Sequence, residues 1–376
     1  MKQRRVWQPW ASSMAAAVAA LVAAGAGCDR GEPAAGASRP SQATAAPSAV
    51  AARTSAAEPS PREPRFGSAE PTARPAGALR IATYNVENLF DDKDDPALSG
   101  DNEDIDDTKP AAHVEAAAAA IRRIDADIIA LQEIESEEVV RAFRDAHLSG
   151  LGYEHLASID AGDERGIEQA VLSRYPIVEV KNWPRLPLGG VHPEKWGDAE
   201  NFNAGQPIVF HRSPLRVTVQ VPAEEGRPEP YDVTLFVVHQ KSGRDGDYWR
   251  RAEAAKTVEL AADLTREDPD RNILIAGDFN AVFWDGPMQA FRDAGFTDAF
   301  DIGRTPGPEY ISHASGRRID YILLSPAAAR EFITETRFVL GTPMRPEGAD
   351  WRTTEPPTGY ASDHCPVVVD LTPVDR

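Results

Sequence analysis

Short apolar runs that end on polar side chains set the pattern of this chain. The run Asn272-Ile273-Leu274-Ile275-Ala276-Gly277-Asp278-Phe279-Asn280-Ala281 is too short for a helix and closes on Gly, Asp and Asn. That is the pattern of a buried strand delivering a carboxylate and a carboxamide to its C-terminal rim. Asp278 and Asn280 lie two positions apart, so extended geometry through Phe279 would point both side chains the same way. Ile81-Ala82-Thr83-Tyr84 ends on Asn85, Asp127-Ile128-Ile129-Ala130-Leu131-Gln132 on Glu133, and Thr234-Leu235-Phe236-Val237-Val238 on His239. A last apolar run, Val367-Val368-Val369, follows Ser362-Asp363-His364. Asp320 sits inside the apolar run 319–324, where an unpaired carboxylate is costly.

Between these strands, apolar periodicity predicts helices over 111–123, from a Ser136 start to about 147, over 247–265 and over 285–294. Residues 208–221, broken at Ser213-Pro214, and 231–239 read as paired antiparallel strands. Residues 182–207 read as irregular, with prolines and glycines separating Trp183, Trp196 and Phe202. A loop of that length in a compact domain is functional or floppy, and its aromatics offer faces for bases or apolar substrate groups. Residues 341–360, with Trp351, invite the same reading. No repeat of solenoid length is visible.

The amino terminus changes the picture of domain organisation. Lys2, Arg4 and Arg5 precede an uncharged, Ala-rich stretch that reaches Cys28, the layout of a secretory signal over residues 1–28. Ala24-Gly25-Ala26-Gly27-Cys28 is similar to a lipoprotein cleavage site, in which Cys28 becomes the lipidated first residue and a membrane tether. Gly25 departs from that pattern, which leaves open free secretion or an uncleaved anchor. Residues 29–78 are built from Ala, Pro, Ser, Arg and Glu with Phe66 as the one aromatic, a composition expected of a disordered linker. That leaves residues 79–376 as one domain, expected to act as an extracytoplasmic monomer.

The net charge is −19, unevenly divided. Residues 1–78 carry 9 basic and 5 acidic side chains, leaving 31 basic and 54 acidic, a net of −23, for the rest. Such a body lacks the basic footprint of a tight, non-specific duplex binder, whose affinity comes from neutralising phosphates. A weakly held phosphoester substrate remains compatible, because a bound cation inverts the local field. Acidic residues crowd between Asp91 and Asp107, but their spacing lacks the EF-hand's loop glycine and terminal Glu; calcium is the alternative and a solvated acidic loop the expectation. The two cysteines, Cys28 and Cys365, have no zinc or redox spacing. Cys365 reads as a small buried thiol at a strand start rather than a nucleophile.

Taken together, the motifs resemble the endonuclease/exonuclease/phosphatase superfamily, the deoxyribonuclease I-like enzymes, over roughly residues 79–373. Asn85 sits in Thr-Tyr-Asn-Val-Glu-Asn, Glu133 in Leu-Gln-Glu-Ile-Glu and His239 in Val-His-Gln-Lys-Ser. Asp278 and Asn280 sit in Gly-Asp-Phe-Asn-Ala, Asp320 in Arg-Ile-Asp-Tyr-Ile, and Asp363 and His364 in Ser-Asp-His-Cys-Pro-Val. The resemblance implies an α/β fold, a four-layer α-β-β-α sandwich of two mixed sheets flanked by helices. It implies Glu133 as principal metal ligand, with Asn85 and Asp363 completing or supporting the site. His364 held by Asp320, and His239 with Asp278 and Asn280, would form the catalytic apparatus; which of Asp278 and His364 takes the water's proton stays open.

Oxygen donors without thiolates suit magnesium or manganese better than zinc. Lys241 and Arg174 are candidate phosphate clamps, with solvated surface charge the alternative for each. The leading reading is a secreted or surface-tethered metal-dependent nuclease. The rival is a phosphatase or phospholipase-type phosphodiesterase on inositol phosphates or lipid headgroups, which an acidic, tethered body would favour. A binding protein with a decayed site is a third reading, against which the intact acids and both histidines speak.

Overall fold

Strands covered on both faces must send alternate residues into two different cores, and this chain supplies both. The computed structural model describes residues 64–375 apart from 97, 99–103, 198, 244, 245 and 302. The signal segment, Cys28 and residues 29–63 of the expected linker lie outside these. In chain order come β1 (Leu79–Leu89), α1 (Ala111–Ile124), β2 (Ile128–Ile134), α2 (Glu137–His147), β3 (His155–Ser158), β4 (Glu168–Ser173) and β5 (Ile177–Lys181). Four short strands follow, β6 (Pro187–Val191), β7 (Lys195–Trp196), β8 (Ala199–Glu200) and β9 (Pro207–Val209). The chain continues through β10 (Leu215–Val221), β11 (Tyr231–His239), α3 (Asp247–Glu267), β12 (Asn272–Asp278) and α4 (Gln289–Asp293). It closes with β13 (Thr297–Asp298), β14 (Asp320–Leu324), α5 (Pro326–Glu331), β15 (Phe338–Val339) and β16 (Val367–Leu371).

Two six-stranded sheets form, one in the order β15-β16-β1-β2-β4-β3 and the other β13-β14-β12-β11-β10-β5. Each is mixed: β1 and β2 are parallel, as are β11 and β12, within otherwise antiparallel pairings. Ile81, Ile128 and Val367 of the first sheet meet Leu235, Leu274 and Ile322 of the second. Their sequence neighbours Ala82, Ile129 and Val368 turn outward onto Ile121 and Ile124 of α1 and Val140 and Phe143 of α2. Phe236, Ile273 and Ile275 turn outward onto Ala254, Ala261 and Leu264 of α3 and Phe291 of α4. This is the expected four-layer sandwich, and it explains why the strands read as continuous apolar runs. Each fully buried Ile or Leu contributes about 1.5–3 kcal/mol.

Helix boundaries follow their caps. Ser136 accepts a hydrogen bond from Val139 N at 3.2 Å and opens α2, while α1 ends on Asp125 in the left-handed region at φ 53°. Three expectations need correction. Residues 207–209 leave the antiparallel pair and join β6, so the break at Ser213-Pro214 separates two sheets. The stretch 182–207 is not irregular but carries two small antiparallel pairs, β6–β9 and β7–β8. They are tied to α3 through Tyr248, whose hydroxyl accepts from Trp196 Nε1 at 2.9 Å and lies 2.7 Å from His192 Nδ1.

The third correction is the domain start. Phe66 packs against the inter-sheet core, with the Arg65 guanidinium 4.6 Å from its ring centre. Ser68 N donates to Val339 O at 2.7 Å, Gly341 N donates to Ser68 O at 2.9 Å, and Arg74 pairs with Asp127 at 2.8 Å. Gly67 adopts φ +73°, and a Cβ there would meet Gly341 N at 2.6 Å. Residues 64–78 therefore belong to the body, and the one aromatic of the Ala/Pro-rich stretch is its anchor.

Candidate active site

Strand alternation and register bring the polar strand ends together. Leu235 and Val237 face the other sheet, so His239 does too; the same parity carries Leu274 and Ala276 to Asp278, and Leu324 and Ile322 to Asp320. His239 is the register partner of Asp278, and Asp278 of Asp320, so the three stand in a row across β11, β12 and β14. Gly277 allows the close approach: at φ +141°, a Cβ there would lie 1.9 Å from Val238 O. Opposite this row, Asn85 closes the inward face of β1.

Glu133 is brought in by strain. Alternation alone would turn it to the outer face, but the register of β2 shifts between Gln132 and Ile134, and Glu133 adopts φ 63°. Glu87 and Asn88 on β1 adopt φ 53° and 48° beside it. Such bulges re-aim side chains, and left-handed backbone at non-glycine residues gathers at functional sites. Here the bulge lets Asn88 N donate to Glu133 Oε2 at 3.0 Å while Asn85 Nδ2 donates to Glu133 Oε1 at 2.9 Å.

Asn85 Nδ2 also donates to Asp278 Oδ2 at 3.3 Å, bridging the two sheets, and its Oδ1 accepts from Glu87 N at 3.0 Å. Asn280 does not follow Asp278 as extended chain. It turns back at φ 50°, and its backbone N and Nδ2 donate to Asp278 at 2.8 and 3.1 Å. His364 arrives just ahead of β16, its Nδ1 2.9 and 3.0 Å from the two Asp320 oxygens. Ser312 Oγ donates to Asp320 Oδ2 at 2.7 Å and holds that carboxylate in place. The free His364 Nε2 lies 3.9 Å from Asp278 Oδ2 and 3.7 Å from Asp363 Oδ1. His239 Nε2 lies 3.6 Å from Glu133 Oε1 and 3.7 Å from Asp278 Oδ2.

The electrostatics follow from burial and crowding. Burial, reinforced by Asp320 and Glu133, pushes the Asp278 carboxyl up to about 7 against the pull of His364. Burial and Asp363 likewise push Glu87 up to about 7. Burial would lower His364, but Asp320, Asp363 and Asp278 together hold it well above its ordinary value. Burial would raise Asp363, yet His364 and His313 hold it below the usual carboxylate range. Burial, aided by Arg212 and His364, keeps His239 far below its ordinary value and so neutral.

An edge this rich in buried and half-buried carboxylates fits a hard divalent ion, since its donors are mostly oxygens and Asp278 and Glu87 resist carrying charge unaided. Among the described residues, Asp278, Asp320 and His364 form one group close enough to share an ion, and His313, Asp363 and His364 another. Asp363 thus stands with the histidines, while Glu133 stands with Asn85 and His239.

Sequence reading missed three participants. Glu87 accepts from Tyr360 OH at 2.6 Å; it was in view inside Asn-Val-Glu-Asn. His313 Nε2 lies 3.2 Å from Asp363 Oδ2, and its ring centre is 4.6 Å from that of His364. Its signal was a histidine in the Ser-His-Ala-Ser-Gly turn ahead of Asp320. Arg212, buried near His239, lies 3.0 Å from Asp163 through Nε, and its Nη1 has no hydrogen-bond partner among the described residues.

Of the candidate clamps, Arg174 is structural: it holds Asp127 at 3.0 Å, Asp125 at 2.5 Å and Leu151 O at 2.8 Å, at the opposite end of the strands. Lys241 Nζ donates to Ser242 O at 3.1 Å. Cys365 is buried, and burial pushes its thiol up to about 11, which leaves it inert.

The model of the Endonuclease/Exonuclease/phosphatase family matches residues 82–364. Among solved structures, the chain is similar to the human Nocturnin catalytic domain with bound sulfate anion, at 15% identity and a TM-score of 0.50, covering 82% of this chain and 98% of that one. It is also similar to a mannosyl-6-phosphatase of Bacteroides thetaiotaomicron, at 17% identity over 78% of this chain and 99% of that one, TM-score 0.48. A third is a 3′ phosphatase, NExo, from Neisseria bound to product DNA hairpin, at 18% identity over 78% and 99%, TM-score 0.47. The comparison with curated proteins gave no match.

Proposed function

The chain belongs to the endonuclease/exonuclease/phosphatase family of divalent-metal-dependent phosphoester hydrolases, and from that premise we propose that it is an exported nuclease that cleaves phosphodiester bonds. The observation that carries the reaction type is one geometry: His364 held by Asp320 at 2.9 Å, with its free nitrogen 3.9 Å from Asp278. Asp320 takes up Nδ1, which leaves Nε2 as the atom that holds or moves a proton. Asp278, with its carboxyl near 7, is a second group able to exchange a proton on the same spot. Either can orient the attacking water, and Asn280 fixes the Asp278 rotamer through its two hydrogen bonds.

His239, neutral by burial, is placed to donate from Nε2 to a phosphoryl oxygen, and Arg212 offers positive charge behind it. Glu133, held by Asn85, would bind magnesium or manganese, with Asp363 on the histidine side of the same edge. When bound, such an ion offsets charge on the non-bridging phosphoryl oxygens.

The choice of nucleic acid is supported by flat apolar faces on the loops. Phe202 is 77% exposed and Trp351 65% exposed, and exposed rings of this kind stack on bases without sequence preference. The acidic body does not favour a polyanion by itself, but a bound cation inverts the local field and allows one to be held weakly and released quickly. The test is the purified protein with magnesium against plasmid DNA, RNA, inositol phosphates and phospholipids. Cleavage of DNA or RNA is expected. Turnover of an inositol phosphate or lipid headgroup with nucleic acid untouched would overturn the nuclease reading.

A further inference from the structure

On the outer face of the second sheet, next to the catalytic edge, lies a cavity of about 300 Å³ that the chemistry above does not use. Its walls come from the segments that carry the catalytic acids. Phe283 and Trp284 follow Asn280, Arg317 and Arg318 precede Asp320, and Arg304 lines a further side. Phe283 N donates to Tyr321 OH at 2.9 Å, and His313 N donates to Arg317 O at 3.1 Å. The cavity is therefore fastened to the neighbour of Asp320 and to the histidine facing Asp363.

Its charge runs against the rest of the domain. The Arg304 guanidinium lies 5.4 Å from the centre of the Trp284 ring and that of Arg292 lies 5.9 Å from the same ring, so two like charges share one indole. Asp298, the acid on the lining, is taken up by both terminal nitrogens of Arg318, whose Nε has no hydrogen-bond partner among the described residues. Among the described residues Arg304 makes no ion pair, and Arg317 is tied through Nε to Ser315 Oγ at 3.1 Å. An anion placed here would relieve the arginine crowding, and an indole beside guanidinium planes accepts a flat ring. A polyol would need free acceptors, and the one carboxylate is occupied.

We propose that this cavity is the subsite for a nucleotide flanking the scissile phosphate, its base stacked on Trp284 and its phosphate held by Arg304 and Arg317. The proposal rests on the nuclease reading and adds to it the place where a flanking nucleotide is held.

Two measurements on the full-length protein test it. In the first, adenosine monophosphate is titrated calorimetrically in magnesium. Trp284→Ala and Arg304→Ala should each weaken binding, the first by about 10–100-fold, the scale of one base–aromatic stack. Trp284→Phe, which keeps a flat face, should retain most of the affinity. Binding indifferent to Trp284→Ala and Arg304→Ala would overturn the subsite; so would an equal loss in Trp284→Phe.

In the second, kcat and KM are measured on a dinucleotide phosphodiester and on methyl p-nitrophenyl phosphate, which shares the reacting bond but has no nucleotide. The Ala variants should lose kcat/KM on the dinucleotide through KM and keep it on the small ester. Equal loss on both would overturn the proposal as a structural effect. If the wild type cleaves neither ester while Trp284→Ala still weakens nucleotide binding, the catalytic reading fails and the subsite stands.

Discussion

The two ends of the sandwich treat buried carboxylates in opposite ways. At the end away from the catalytic edge, acids come with guanidinium partners. Asp370 on β16 is gripped by Arg80 on β1 at 2.8 and 2.9 Å, and Asp127 is shared between Arg74 and Arg174 at 2.8 and 3.0 Å. At the catalytic edge Glu87, Glu133, Asp278, Asp320 and Asp363 face one another and the imidazoles of His239, His313 and His364. Among the described residues no lysine or arginine side chain pairs with any of these five acids. A fixed counter-charge completes the structural end during folding, whereas the catalytic edge leaves its charge to be balanced by protons and a bound cation.

The largest effect should come from the catalytic edge. His364→Ala is expected to lower kcat by about two to four orders of magnitude, the range for a positioned acid-base group. Asp320→Asn should cost much of that, and the double variant little more than His364→Ala alone, because members of one catalytic unit are not additive. Steady-state kinetics on variants checked by circular dichroism read this directly; independent, multiplicative losses would break the pairing.

At the other end the same kind of change should act on stability and spare chemistry. Asp370→Asn leaves the Arg80 charge buried without its partner, so urea unfolding should show a loss of about 3–5 kcal/mol. Turnover per folded molecule should hold. The double replacement Arg80→Met/Asp370→Leu should recover most of the loss. A loss well under 1 kcal/mol in the single variant would remove the contrast between the ends.

The segment 64–78 gives a smaller effect. A chain starting at residue 79 should be less stable than one starting at 64 by about 1.5–3 kcal/mol, the scale of burying one large apolar side chain such as Phe66. Equal unfolding midpoints would show that the segment rests on the body without holding it.

A last effect, read as a dependence on pH, concerns Glu168, at the catalytic end but outside the site. Burial pushes it up to about 8 despite a hydrogen bond from Ala161 N. Its folded value lies above the ordinary 4.5, so its contribution is fully present below 4.5 and is lost as pH rises through about 8. Glu168→Gln should therefore gain thermal stability on the wild type as pH climbs through that window. Parallel stability–pH curves for the two proteins would refute this.

How much of this was legible in the sequence depends on range. Alternation along 233–239 and 272–278 fixes which face His239 and Asp278 share, because a strand's parity is local. The row they form with Asp320 depends on register between strands, which alternation does not encode. The bulge at Glu133 is a backbone event with no local signature, and parity alone would have sent that carboxylate the wrong way. His313 was hidden because it meets Asp363 from fifty positions away, through a turn with no apolar pattern. Phe66 was hidden by averaging, since a short edge segment disappears in the composition of the Ala/Pro-rich stretch around it.

The central claim is that these carboxylates, which no lysine or arginine neutralises, form a hydrolytic site that needs a divalent ion. The most direct measurement is phosphodiester hydrolysis by protein stripped with EDTA and then titrated with magnesium, wild type beside Glu133→Gln. The stripped wild type should be inactive and regain turnover as magnesium is added, while Glu133→Gln should fail to recover at the same concentrations. Full turnover in EDTA, or equal recovery by Glu133→Gln, would contradict the account.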